Sequence, residues 1–302
     1  MDLGGGIFFS GGYNLDVGVR PTGRPTAFDV LMVAGGGAGG TTIGGGGGAG
    51  GVLLGAFAIP SSGSYTITVG AGGASGTDGN NGGNTTCFGL VANGGGGGYS
   101  YTSTNGANPG NPGGSGAGGA GNRGGTSAGG AATQTNQSTL TGYGFAGGLG
   151  TASGDPIQPG GGGGAGAVGQ AGQPTGTTKA GDGGDGIYNN YRTGSNVGYA
   201  GGGSGHSYNS GADPTNKRST FGGGVSINND VSSGVPNTGG GGAGGGFMYG
   251  PTDRAGGSGI VVIRYPSFTS NIATGGNVTY YTVNDVEYTV HTFTSSNTLV
   301  IV

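Results

Sequence analysis

The chain has 302 residues, of which 89 are glycine, and nine Lys and Arg against twelve Asp and Glu give a net charge of −3. Such a chain lacks the basic patch that nucleic-acid binding requires, and no apolar run is long enough for membrane insertion. A single cysteine excludes an intrachain disulfide framework, and 12 prolines with a broken Gly-X-Y phase exclude collagen.

The glycines fall in blocks such as Gly44–Gly48, Gly94–Gly98 and Gly160–Gly164. Ordering one residue costs on the order of 1–2 kcal/mol of backbone entropy, and glycine buries no side chain in return. Disordered chains are usually highly charged, and this chain is not. We therefore expect an ordered lattice of backbone contacts that only residues without a Cβ can enter. The alternative is that the blocks are disordered tethers.

Residues 1–26 combine a short apolar run, Ile7–Phe9, with an extended polar stretch that contains Pro21 and Pro25. We interpret this segment as an N-terminal arm or attachment segment. Its first residues have neither the basic nor the apolar region of a secretory signal, so we expect no signal-directed export.

Short apolar or alternating runs bounded by glycine and proline predict β-strands in the next part of the chain. We expect a small antiparallel sheet from residues 28–34, 52–59, 64–70, 85–92 and 260–265. Cys87 would lie in the fourth of these strands as a small buried side chain rather than a reactive thiol.

Between about residues 93 and 258 apolar runs nearly vanish, and glycine often recurs at every third position, as at 160, 163, 166, 169 and 172. Three residues per turn is the period of the polyproline-II helix, which has no internal hydrogen bonds. Neighbouring glycine helices of this kind could bond directly to one another. We predict a polyglycine-II bundle inserted into a glycine-rich domain that spans residues 27–266.

The last segment, residues 267–302, predicts a β-meander with strands Val278–Val283, Val286–Thr294 and Thr298–Val302. Asn284-Asp285 and Ser296-Asn297 would form its turns. The expected fold class is thus all-β plus polyglycine-II helices, with essentially no α-helix.

Four glycine-rich strand segments in fixed order give the chain a family resemblance. They are residues 29–40, 45–52, 65–73 and 256–265, followed by the Val290–Ser296 strand. This set resembles the glycine-rich domain of bacteriophage tail fibres and tail-associated proteins, including those of cyanophages. The resemblance implies a virion protein, usually a homotrimer, that is made in the host cytoplasm. It would bind other virion proteins through its N-terminal or C-terminal segment and a host-surface glycan or protein through loops at the end of the bundle.

Three motifs that suggest chemistry are better explained without it. Gly35–Gly40 matches the dinucleotide fingerprint G-x-G-x-x-G, but no helix can start after it and no acidic residue follows at the required distance. Gly181–Ile187 resembles one calcium-binding nonapeptide, which needs stacked copies, so we favour a solvated turn. His206 and His291 lie far apart in sequence without further ligands nearby. We expect no cofactor, no metal and no catalytic activity.

Aromatic residues within otherwise featureless glycine segments are the candidate receptor-binding residues, because an exposed tyrosine offers a rigid amphipathic face. The candidates are Tyr99, Tyr101, Tyr188, Tyr191, His206, Tyr208, Phe247 and Tyr249. The alternative is that these rings, and Tyr199 with them, fill gaps between glycine helices or between protomers.

The sequence therefore predicts a structural virion protein, a tail fibre, tip or appendage that presents loops to the host surface. One alternative is a capsid-surface fibre or decoration protein. Another is a non-viral ice-binding or cell-wall structural protein built on polyglycine. A depolymerase would require a cluster of carboxylates, which the sequence lacks.

Overall fold

The computed structural model describes residues 7–9, 13–15, 25–101, 108–122, 125–151, 157–173, 179–206, 221–227, 230–246, 254–267 and 271–302. Seventeen strands lie in these ranges, and no α-helix does. No helix in this described part could cross a membrane. The expectation of an all-β chain is confirmed.

The strands, in chain order, have the following bounds. They are β1 Ile7–Phe9, β2 Tyr13–Leu15, β3 Ala27–Val33, β4 Val52–Ala58, β5 Gly63–Ile67, β6 Thr85–Cys87, β7 Leu90–Ala92, β8 Thr141–Tyr143 and β9 Ile187–Asn189. The remainder are β10 Val197–Tyr199, β11 Ser226–Ile227, β12 Asp230–Val231, β13 Ile260–Pro266, β14 Ala273–Thr274, β15 Asn277–Val283, β16 Val286–Phe293 and β17 Asn297–Ile301.

The largest sheet has six strands in the order β15-β16-β13-β3-β4-β8, and all neighbours are antiparallel. Its central strands are buried on both faces, which explains why they read as continuous apolar runs. Val30 and Met32 of β3 pack into one core cluster, while Leu31 and Val33 pack into another on the opposite face. The second cluster includes Tyr199 from the glycine-rich region, so the sheet and that region share a core.

The expected C-terminal meander of three strands is wrong in its last strand. β15 and β16 pair as expected, but β17 pairs with β5 and β14 in a separate three-stranded sheet. The pairing of β17 with β5 buries Leu299 and Ile301 in the same cluster as Ile67. The short turn after β16 suggested pairing with the preceding strand, but burial of two aliphatic side chains against the main core decides otherwise.

The single strand expected over residues 85–92 is also wrong, because this segment is a hairpin formed by β6 and β7. Phe88 and Gly89 form its two-residue turn with φ of 53° and 76°. Positive φ at both positions is typical of a type I′ turn, which usually selects Asn and Gly. Because phenylalanine rather than asparagine occupies the first position, the sequence did not indicate a turn here. Cys87 is buried, as expected.

Glycine segments that are neither helix nor strand are joined to each other by long-range backbone hydrogen bonds. The central pass, residues 44–51, is fully buried, and all eight of its N–H groups donate to other segments. The acceptors change with a period of three residues. Gly44, Gly47 and Gly50 donate to Gly245, Gly242 and Gly239, whereas Gly45, Gly48 and Gly51 donate to Tyr99, Gly96 and Asn93, and Gly46 and Ala49 donate to Gly160 and Gly163.

Carbonyl groups of the central pass accept N–H groups from three further segments. The donors are Ala34, Gly37 and Gly40 in the first segment, Ser115 and Gly118 in the second, and Gly203 and His206 in the third. Six segments therefore surround the central pass. This network of backbone hydrogen bonds includes residues 34–51 and so begins well before residue 93.

Close backbone approach explains why glycine fills the central pass. A Cβ on Gly47 would lie 2.1 Å from the Gly37 carbonyl oxygen, and a Cβ on Gly46 would lie 2.0 Å from the Gly203 carbonyl oxygen. Real Cβ atoms do not approach backbone oxygens so closely, so only glycine allows these segments to lie at this spacing.

Candidate functional site

The glycine network has two ends. One adjoins the six-stranded sheet, and the other lies about seven residues along the chain from that sheet. The chain leaves β3 at Val33, turns at residues 41–43, and returns through the central pass to β4. Seven extended residues span at most roughly 25 Å. We call the end that contains residues 41–43 the distal end and the other the sheet end.

Hydroxyl groups hold the distal turn against two neighbouring segments. The Thr41 N–H donates to Ser100 Oγ at 2.7 Å, and the Thr41 hydroxyl donates to the Thr77 carbonyl oxygen at 2.9 Å. The Ser100 hydroxyl in turn donates to that same carbonyl, while the Ser100 N–H donates to Asp78 Oδ1 at 2.9 Å. The described part of the distal end is thus a hydrogen-bonded platform.

Three of the candidate aromatic residues meet at this platform through their backbones. The Tyr101 N–H donates to the Thr42 carbonyl at 2.7 Å, and the Tyr99 carbonyl accepts the Gly45 N–H at 3.1 Å. The His206 N–H donates to the Gly44 carbonyl. Both tyrosine residues are half-buried, so part of each can be reached from solvent.

The imidazole of His206, in contrast, is buried, with 3% of its surface exposed. Its Nδ1 forms a hydrogen bond with the Ser226 hydroxyl. Burial lowers the pKa of His206 to about 4, because the charged imidazolium would lose its hydration. This ring supports the distal end and is not itself a contact surface.

Tyr188 and Tyr191 belong to the sheet end, so the structure separates them from Tyr99 and Tyr101. Tyr188 lies on β9 with 55% of its surface exposed, and its ring packs on Phe221 at 4.7 Å. Tyr199, on β10, is fully buried and fills a gap in the core, as the alternative interpretation expected. Tyr208, Phe247 and Tyr249 lie outside the described residues.

Tyr191 is part of a polar cluster that we call the Arg264 cluster, made of Asp29, Tyr191, Arg264, Tyr281 and Tyr288. The guanidinium donates to Asp29 Oδ2 from Nη2 at 2.7 Å and from Nε at 3.1 Å. It also donates to the Tyr281 hydroxyl at 2.9 Å.

Two aromatic rings enclose the same guanidinium. Its Cζ lies 4.2 Å from the centre of the Tyr191 ring and 4.4 Å from that of Tyr288, which is cation–π geometry. Burial raises the pKa of Tyr191 to about 12. Burial also raises the pKa of Asp29, and the attraction of Arg264 opposes that shift. The cluster joins the β9 hairpin to the large sheet, because the Tyr281 hydroxyl also donates to the Asn190 and Tyr191 carbonyls.

Sequence reasoning missed a cavity of about 500 Å³ at the sheet end, which we call the aromatic groove. Its lining residues are Phe57, Ala58, Ile59, Pro60, Ser64, Tyr65, Thr66, Phe88 and Gly89. The rings of Phe57 and Phe88 stack at 5.3 Å with an interplanar angle of 4°, and Tyr65 meets Phe88 edge-on at 5.4 Å. The sequence could have indicated this cavity by the apolar and aromatic residues Phe57, Ile59 and Tyr65 on either side of the polar turn at Ser61–Gly63.

The motifs that suggested chemistry serve the backbone network or the core. Gly35–Gly40 lies in a hydrogen-bonded pass. Asp182 forms an ion pair with Lys179 at 2.8 Å, and the Asp185 carbonyl accepts two backbone N–H groups. His291 is buried on β16, with Nε2 at 3.1 Å from the Tyr265 hydroxyl. Within the described ranges, no group of three His, Cys, Asp or Glu residues could hold a metal ion.

Comparison with protein families finds one that matches most of the chain. The model for a family described as glycine-rich domain matches residues 16–266. No curated protein and no solved structure matches the chain.

Proposed function

The chain belongs to the glycine-rich domain family, and on that premise we propose that it is a structural virion protein. It forms a phage tail fibre, tail tip or appendage and presents its distal end to the host surface. The proposal rests on the resemblance of its strand and glycine segments to phage tail-fibre domains, and on a backbone network suited to a rigid support.

The observation that carries the structural role is the three-residue period of hydrogen bonding in the central pass. We infer that the glycine passes are polyglycine-II helices, because a helix of three residues per turn directs successive N–H groups to three different neighbours. Six surrounding segments agree with hexagonal packing. Because the central pass is hydrogen-bonded to neighbours on all sides, we expect the bundle to resist bending.

Attachment to the host is assigned to the distal end. Tyr99 and Tyr101 are half-buried on a platform that the Thr41–Ser100 hydrogen bonds hold in place. A partly exposed tyrosine on a rigid support can contact a glycan or protein with little loss of side-chain entropy.

We propose that the chain forms a homotrimer, and an apolar flank of the bundle supports contact between copies. Phe145, Leu149 and Val168 expose 40%, 48% and 51% of their surfaces. They lie on neighbouring segments, because the Gly169 N–H donates to the Ala146 carbonyl. Contiguous exposed apolar side chains indicate an interface, and copies related by rotation would cover this flank in a closed ring.

Virions that carry the chain provide the direct test. Antibody against the chain, viewed by negative-stain microscopy, should label the tail. Labelling of the head would favour a capsid decoration protein, and absence from particles together with thermal hysteresis of the purified chain would favour an ice-binding protein.

Adsorption to host cells tests the assignment of the distal end. Particles with Tyr99→Ala and Tyr101→Ala should adsorb more slowly than wild type, whereas Tyr188→Ala at the sheet end should have no effect. Equal adsorption of all three would remove the two distal tyrosines from the receptor site.

A further inference from the structure

The aromatic groove lies beside an open strand edge. β5 is the outermost strand of its sheet, with β17 on one side. On the other side, within the described residues, only its continuation is paired, where Thr68 and Thr86 exchange backbone hydrogen bonds at 3.0 and 2.9 Å. Successive residues of a strand direct their backbone groups to opposite edges. The N–H and C=O groups of Ser64 and Thr66 therefore face the open edge, as those of Thr68 face β6.

Beyond Leu54, the outer edge of β4 has no paired strand among the described residues. β8 pairs with Val52–Leu54 only, and beyond them the Thr139 hydroxyl donates to the Ala56 carbonyl at 2.6 Å. β4 and β5 diverge after Pro60 into different sheets. The groove is the space between them, bordered by backbone on the β5 side and by aromatic rings at its floor.

Phe88 holds its ring in the groove from an unfavourable backbone position. Its φ of 53° is uncommon for a residue with a bulky side chain. Such conformations are energetically unfavourable and cluster at binding sites. The ring stacks on Phe57 and lies 6.2 Å from Phe28, so packing offsets part of this cost.

We propose that the aromatic groove binds an extended, uncharged segment of the protein on which this module is mounted. The segment pairs with the open edge of β5 at Ser64 and Thr66 and places one apolar or aromatic side chain between Phe57, Tyr65 and Phe88. This inference rests on the proposed function, because it supplies the contact that a structural virion protein needs at the end opposite its distal platform.

Two features of the groove select this occupant. Its lining contains no charged residue, so a charged ligand would lose hydration without compensation. An open row of backbone donors and acceptors matches a peptide strand, since strand addition pairs main chain with main chain and leaves alternate side chains for pockets. A sugar ring could stack on the aromatic floor but would leave the strand edge unpaired.

The N-terminal arm of the chain itself is the alternative occupant of the aromatic groove. Ile59 donates its N–H to the Thr26 carbonyl at 3.0 Å, so the residues that precede Thr26 connect to the fold beside the groove. The test below separates the arm from a partner.

A labelled peptide, acetyl-Thr-Val-Phe-Val-Thr-amide, is the probe, and fluorescence anisotropy with the full chain is the measurement. Ser64→Pro removes the outward N–H, whereas the matched Ser64→Ala keeps it. Phe88→Asn removes the ring but suits the turn, so this variant should still fold. We expect Ser64→Pro and Phe88→Asn to weaken binding by about tenfold or more, as loss of an interface anchor does, and Ser64→Ala to bind like wild type.

Four outcomes would overturn the inference. The first three are no peptide binding by the full chain, equal binding by Ser64→Pro and Ser64→Ala with both folded by circular dichroism, and peptide binding only after removal of residues 1–24. The third would assign the groove to the chain's own arm. The fourth, displacement of the peptide by a neutral oligosaccharide, would assign it to a glycan.

Incorporation into particles separates this inference from the proposed function. Ser64→Pro should be missing from virions that incorporate Ser64→Ala and the distal Tyr101→Ala normally. If Ser64→Pro is incorporated normally, the docking inference is wrong while the virion role stands. If even the wild-type chain is absent from particles, the proposed function is wrong.

Discussion

Arg264 is one of the few charged residues of this chain, and charged, polar and aromatic groups all contact its guanidinium. Its guanidinium is enclosed by the Asp29 carboxylate, the Tyr281 hydroxyl and the rings of Tyr191 and Tyr288. The Arg264 and Asp29 side chains expose only 12% and 18% of their surfaces. Buried ion pairs of this kind add little net stability over apolar residues, but removing one partner leaves the other charge unpaired.

We expect Arg264→Leu to lower the free energy of unfolding by about 3 kcal/mol, because the partly buried Asp29 carboxylate loses its counterion. The double variant Asp29→Leu with Arg264→Leu should recover most of this loss. Denaturant titration of the two single variants and the double variant measures the coupling. Additive losses would mean that the two side chains do not stabilise each other.

His206 makes stability depend on pH. Its folded pKa is about 4, and an unfolded histidine titrates near 6.5, so the unfolded state binds more protons between these values. The stability present above pH 6.5 should therefore be lost as the pH falls towards 4, by about 3 kcal/mol in full. His206→Asn, which keeps a polar partner for Ser226, should flatten this dependence in thermal melts.

His291 is the control for that measurement, because burial lowers its pKa in the same direction. His291→Asn should leave the His206 contribution in place, so this variant should still lose stability as the pH falls. An unchanged pH profile for His206→Asn would contradict the assignment.

At the scale of the element, the glycine pass takes the place that a helix or a strand has in other folds. Its stability comes from hydrogen bonds to other segments, so no pass can form alone. The same geometry excludes side chains at most buried positions, since a Cβ on most of the buried glycines would meet a neighbouring carbonyl oxygen near 2 Å.

Gly47→Ala tests this exclusion. The added methyl group would lie 2.1 Å from the Gly37 oxygen, and such overpacking against backbone should cost about 3 kcal/mol or more. Gly83→Ala is the matched control, because Gly83 also donates and accepts in the network while its Cβ would meet nothing closer than 3.1 Å. Thermal unfolding should separate the two variants clearly, and equal melting temperatures would refute a tightly packed lattice.

At the scale of the whole molecule, the sheet and the glycine network form a continuous buried interior. One face of β3 and β13 packs under β5 and β17, and the other packs against Tyr199 and Ala165 from the glycine-rich region. Unfolding of the network should therefore expose the sheet core as well.

Hydrogen exchange measures the order of this interior. We expect the amides of the central pass, residues 44–51, to exchange among the slowest, because all are buried and hydrogen-bonded. The mostly exposed segment 74–78 should exchange far faster. Rapid exchange throughout the central pass would show that the glycine blocks are tethers, and the proposed rigid support would fail.

Local pattern in the sequence was enough to predict five of the six strands of the large sheet, the absence of helix in the described residues and the need for backbone contacts between glycine blocks. Apolar runs and alternation identify which residues of a strand are buried. Abundant glycine disfavours helix, and low charge disfavours disorder. The tertiary structure alone decided that β17 leaves the expected meander for β5, that Tyr199 is buried while Tyr188 is exposed, and that Phe57 and Phe88 meet in a groove. The physical reason is that hydrophobic periodicity specifies which face of a strand is buried, but not which segment packs against that face. Glycine also has no side chain to encode register, so each pass finds its neighbours only when turns and strands bring the backbones together.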